Sequence, residues 1–185
     1  MNYPMLHGSD DIRDTFLWLG GTATEDWDWR KELIPYLNKS IVYYDPYIRP
    51  EDNLDWDETA RKNEQEAKTH ARCQIYVIAP GMKGCFSIEE ITEAVLTSKK
   101  GSVAVAILER NAGKQAQYFR GDGQWATPTY PTYAKEMRRS LDACMERWVE
   151  LGAVQCSSLM SLAHFANDYK DSMTVTDFVK ASSHF

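Results

Sequence analysis

The stretch GMKGCFSIEEITEAV, residues 81–95, brings a carboxylate, a thiol and a hydroxyl into one loop-to-helix junction. Ser87 and Glu90 are spaced as an S-x-x-E capping box, in which the serine oxygen caps the helix and the glutamate reaches back to the serine N–H. A carboxylate in the first turn of a helix is also kept ionised by the positive end of the helix dipole, which is how a nucleophilic Glu90 would be mounted. The two uses compete for one side chain. Cys85 stands in the same junction, where the dipole would lower a thiol pKa, but no histidine is near it in sequence. A second loop, GGTATEDWDWR at 20–30, joins glycines that admit close backbone approach to tryptophans whose faces suit stacking. Trp29 is in helical register with Leu33 and reads as core; Gly20, Gly21, Thr22 and Trp27 are the ligand-contact candidates of this loop. A third loop, YDPYIRP at 44–50, supplies Asp45 and Arg49 and runs on into Asp52, Asp55, Trp56 and Asp57. Arg30, Arg49 and Lys83 are cations able to hold a phosphate.

Other chemistries lack their patterns. The chain has no GxGxxG, no GxxxxGK[ST] and no HxxxH or HExxH, and His7, His70, His164 and His184 are widely separated. Neither a dinucleotide fingerprint, a P-loop nor a zinc site is expected, so no metal and no cofactor are assigned. In 185 residues, 21 Lys and Arg stand against 27 Asp and Glu, a net charge of −6 without a long basic run, which argues against duplex nucleic acid as a partner. The four cysteines form no CxxC pair and read as reduced thiols of a cytoplasmic protein. The N-terminal MNYPMLHGSDDIRD lacks the basic and apolar regions of a leader, and no apolar run reaches membrane-spanning length.

These loops need a frame. Short apolar runs closed by Gly or Pro at 15–21, 40–45, 73–80, 102–109 and 152–156 predict strands. Between them, helical spacing predicts helices over 27–37, 57–72, 87–98 and 132–151, one more from Ser157 or Ser158 to Lys170, and a short one after it. Residues 110–131, with Tyr118, Trp125 and Tyr130, read as an excursion or lid. Along the helix 132–151, Met137, Leu141, Met145, Trp148 and Val149 share one side, which suits core packing and also a dimer surface. Alternating strands and helices predict one α/β domain over 1–185. The expected architecture is a flavodoxin-like three-layer sandwich, a mostly parallel five-stranded sheet of order 2-1-3-4-5 with helices on both faces. Ligands of such sheets settle at the carboxyl ends of the strands, where the three loops converge.

Over residues 15–109 the chain resembles the nucleoside 2-deoxyribosyltransferase-like family. The stretches carrying the likeness are FLWLGGTATEDWDWR for the family's FLAGG strand and loop with a Trp five to seven residues on, YDPYIR for its N/D-P-x-R segment, and FSIEE for its T/S-x-x-E step. The resemblance implies that Glu90 is the catalytic nucleophile and that Gly20, Gly21 and Asp45 line the site. It also implies a homo-oligomer acting on a small-molecule nucleoside or nucleotide. Where the family carries Ala-Asp at its third strand, this chain has Arg72-Cys73, so another acid is required, with Glu64, Asp55 and Asp57 as substitutes. The expected reaction is transfer or hydrolysis of the N-glycosidic bond of a deoxynucleoside or its monophosphate through a glycosyl ester. The alternative is a non-catalytic nucleotide-binding protein using the same crevice.

Overall fold

The computed structural model describes residues 5–22, 27–52, 56–78, 86–108, 118–119, 125–126 and 130–182. Its strands are β1 (Leu6–His7), β2 (Leu17–Gly21), β3 (Tyr43–Tyr44), β4 (Cys73–Ile78), β5 (Val103–Ile107), β6 (Tyr118–Phe119), β7 (Trp125–Ala126) and β8 (Val154–Cys156). The helices are α1 (Trp29–Leu33), α2 (Glu58–His70), α3 (Phe86–Thr97), α4 (Tyr130–Leu151) and α5 (Leu159–Ser182). Six strands form one sheet in the order β1-β3-β2-β4-β5-β8, parallel except where β1 joins β3. The chain is thus an α/β protein with a mostly parallel sheet.

The strand count and order differ from the expected five. Leu6 and His7, inside a stretch that reads as polar, add an antiparallel edge strand in register with Tyr44 and Tyr43. Burial of Leu6 and a stacked His7–Tyr43 ring pair, 4.7 Å between centroids, hold this two-residue strand. Strands β6 and β7 form a separate antiparallel pair within the 110–131 excursion, whose last two residues open α4 and whose remaining residues lie outside the described ones.

Strand alternation divides the core in two. Leu17, Leu19, Ile75, Val77, Ala104 and Ala106 face α1 and α5, where Trp29, Leu33, Leu162, Ala163 and Ala166 are buried. Trp18, Tyr76, Ile78, Val103 and Val105 face the other way, covered by Ile91, Ala94 and Val95 of α3 and by Leu141, Met145 and Trp148 of α4. Those α4 residues pack in the core, so the expected apolar side of this helix is largely spent inside the molecule. Only Ala67 of α2 is fully buried, which makes α2 a polar helix laid over the sheet with its sides open.

Several boundaries move for local reasons. Helix α1 is shorter than its apolar spacing predicts, because Pro35 enters and the chain tightens into a 3-10 turn over Ile34–Tyr36. The C-terminal segment is one continuous helix rather than two, capped by Ser158, whose Oγ accepts from the Ser161 N–H at 3.0 Å. Asp57 caps α2 by accepting from the Ala60 N–H at 2.8 Å. No helix among the described residues is long and apolar enough to cross a membrane.

Candidate functional site

Two charged regions flank the sheet, and they are built differently. The first joins the loop after β2 to the loop after β3. Gly21, at φ +107°, turns the chain where a Cβ would lie 2.3 Å from the Val77 carbonyl oxygen, so only glycine fits. Beyond that turn Arg30, fully buried at the start of α1, donates from Nε to the Leu19 carbonyl at 3.0 Å and reaches those of Thr22 and Gly21 at 3.3 and 3.4 Å. Its Nε also lies 3.3 Å from Asp45 Oδ1, and both side chains are 2% exposed. Asp45 Oδ2 accepts from Arg49 at 2.7 Å, and Arg49 in turn pairs with Asp28. Burial lowers the Arg30 pKa to about 10 while the Asp45 charge opposes the drop. For Arg49, burial pulls downward but the carboxylates of Asp28 and Asp45 hold it above the ordinary guanidinium value. Two cations and two anions neutralise one another here.

The second region is a groove of about 1210 Å³ between α2 and α3. Trp56, Glu64 and Lys68 line it from the α2 side, Phe86, Glu90 and Glu93 from the α3 side. Lys68 Nζ lies 3.4 Å from Glu90 Oε1 and 3.2 Å from Glu93 Oε2. Glu64 accepts a 3.3 Å hydrogen bond from Trp56 Nε1 and has no cation in contact among the described residues. Burial raises the pKa of Glu90; Lys68 opposes the rise and the Glu64 charge adds to it. Burial likewise raises Glu64, opposed by the Trp56 hydrogen bond and by Lys68 at longer range. Beneath them Tyr76 donates from Oη to Gln74 at 2.8 Å, and Gln74 donates to Ser98 at 3.2 Å, a buried polar strip along the floor. Arg72 and Lys99 line the opposite end of the groove, where α2 and α3 terminate and a cation complements the helix dipole.

The groove gathers two of the three expected catalytic residues, Glu90 and Glu64; Asp55 lies outside the described residues, as do Cys85 and Lys83. The capping-box geometry is not adopted. Helix α3 starts at Phe86, so Ser87 is already inside its first turn, and the Glu90 carboxylate reaches across to Lys68 instead of back to its own helix. The Glu90 side chain is 12% exposed and opens on the groove.

The residues of the first and third loops are largely taken up by packing and by one another. The space left by the missing side chain of Gly20 is filled by the Tyr76 ring, 2.3 Å from where a Cβ would sit, and by the Trp18 indole, so this glycine serves packing. Thr22 is buried and its carbonyl accepts from Trp29 Nε1 at 3.0 Å and from Arg30. Trp27 donates to Glu32 at 2.9 Å and packs on the α1/α5 side of the core. Asp45 and Arg49 are spent on each other and on their neighbours, which removes Arg30 and Arg49 as phosphate ligands. Lys68 is the residue that the motif reading missed. Its signal was the i,i+4 spacing from Glu64, which puts both on one face of a helix.

No family model, no curated protein and no solved structure matches this chain.

Proposed function

We propose that the chain breaks the N-glycosidic bond of a deoxynucleoside, with Glu90 as nucleophile and Glu64 as acid and base. The observation that carries this reading is the pair itself. Glu90 and Glu64 face one groove from two helices, Glu90 touched by an ammonium and Glu64, among the described residues, by no cation. An ammonium beside a carboxylate favours its charged form, which assigns Glu90 as the charged member and Glu64 as the neutral one.

In the first step a Glu90 oxygen attacks the anomeric carbon, the bond from that carbon to the base nitrogen breaks, and the base leaves with the electron pair. Glu64 gives its proton to the departing base and becomes a carboxylate. In the second step Glu64 takes a proton from water, whose oxygen displaces Glu90 and leaves the free sugar. With a second base as acceptor the same displacement makes a new nucleoside. The committed state of Arg30 and Arg49 favours an unphosphorylated nucleoside over a 5′-monophosphate. The parallel strands flanked by helices fit a flavodoxin-like frame with β1 added at one edge, and in such sheets the crevice beyond the strand ends takes ligands.

The test is incubation with a panel of deoxynucleosides and their monophosphates, each with and without a second free base, read by chromatography. Base release or exchange is expected from at least one nucleoside and should fall by about 10⁴-fold or more in Glu90→Gln. No release or exchange from any substrate overturns the reading.

A further inference from the structure

Two of the most exposed large side chains stand at the same groove, and the fold does not need them there. Trp56 is 59% exposed and Phe86 is 69% exposed. Neither belongs to the core clusters on the two faces of the sheet. Trp56 directly precedes the α2 cap Asp57, where an apolar side chain ordinarily packs on the fourth helical residue as a staple. That residue is Arg61, and the indole stays in solvent. Phe86 opens α3 with its ring equally uncovered.

We infer that Trp56 and Phe86 form an aromatic clamp, one ring from each wall of the groove, that takes the planar heterocycle of the ligand beside Glu64 and Glu90. The inference rests on the proposed glycosidic reaction for its ligand class, a nucleobase. The Trp56 N–H bonded to Glu64 fixes where the indole stands relative to the acid, so a base on that ring lies next to the group assigned to protonate it. Aromatic faces accept any base without reading its edge, and the groove is large enough for a base together with its sugar. A protein surface fits less well here. It would cover Glu64, Glu90, Glu93 and Lys68 together with the two rings, and burying those charges without new partners is costly. Trp27, the stacking candidate of the first loop, is excluded by its packing on the opposite side of the sheet.

The full chain carrying Glu90→Gln, which separates binding from turnover, is titrated calorimetrically with free adenine, cytosine and thymine, with the matching deoxynucleosides, and with deoxyribose. Trp56→Leu and Phe86→Leu are then added singly, with Trp56→Phe as the conservative control and circular dichroism as the check on folding. Each leucine variant should bind base and nucleoside about 5- to 150-fold more weakly, while Trp56→Phe stays near the parent. Absence of base binding in the parent, or unchanged affinity in both leucine variants, overturns the clamp. Base binding that is lost in the leucine variants, in a chain that never releases base from a nucleoside, keeps the clamp and removes the glycosidic reaction.

Discussion

The cluster Arg30–Asp45–Arg49–Asp28 and the groove holding Glu64, Lys68, Glu90 and Glu93 contain the same kinds of side chain. They differ in closure. In the cluster each cation has a carboxylate, the main chain supplies further acceptors, and Arg30 and Asp45 are sealed from solvent. In the groove Lys68 touches Glu90 and Glu93, Glu64 is met by an indole N–H and by no cation among the described residues, and the space beside them is open. A closed set of charges fastens two loops together; an open one leaves room for the proton transfers and the sugar of the proposed reaction. Residue type does not distinguish the carboxylates of the cluster from those of the groove, and their partners and exposure do.

The sharpest way to break that contrast is at Asp45. Replacing it with Asn leaves Arg30 charged and buried without an anion, and removal of one partner of a buried pair costs about 3–5 kcal/mol. Urea unfolding of Asp45→Asn should show a loss of this size. A loss below about 1 kcal/mol would mean that the cluster is no fastening and that its charges are available for a ligand.

On the groove side, Glu64→Gln should lower base release by about a hundredfold or more and flatten the alkaline limb of the pH–rate profile, which the neutral acid governs. Unchanged activity at every pH would transfer the acid role to another residue. The same variant sharpens the comparison through stability. Burial raises the proton affinity of Glu64 and Glu90 above the ordinary carboxylate value of 4.5, so the folded chain holds more protons than the unfolded one in the range above it. Stability from these two groups is therefore full below 4.5 and is lost as pH rises through their elevated folded values. Glu64→Gln, neutral throughout, should melt higher than the parent at about pH 7.5, with the gap closing toward about pH 4. A lower melting temperature at the higher pH would contradict the burial argument.

The frame was largely legible because its strands are apolar runs bounded by glycine and proline: 73–78 and 103–107 lie inside runs that read as strands without ambiguity. Strand β1 was not, since two residues carry no periodicity and only their pairing with Tyr43 and Tyr44 reveals them. At the site, Glu90 stood out because it opens a helix after a strand. The fate of Asp45 and Arg49 could not be read, because their neutralising partners Arg30 and Asp28 are brought in by the turn at Gly21 and not by sequence spacing. Gly20 misled for the same reason: whether a glycine admits a ligand or a neighbouring ring depends on register, and register sets it against Tyr76.

The nucleophilic role of Glu90 is tested most directly by trapping. The chain is incubated with a 2′-fluorinated deoxynucleoside analogue, whose fluorine slows breakdown of a glycosyl ester, and intact mass and peptide mapping follow. The account predicts one added fluoroglycosyl group, carried by the peptide that contains Glu90 and absent from Glu90→Gln. An adduct on another residue, or release of base from natural substrates with undiminished rate in Glu90→Gln, would contradict it.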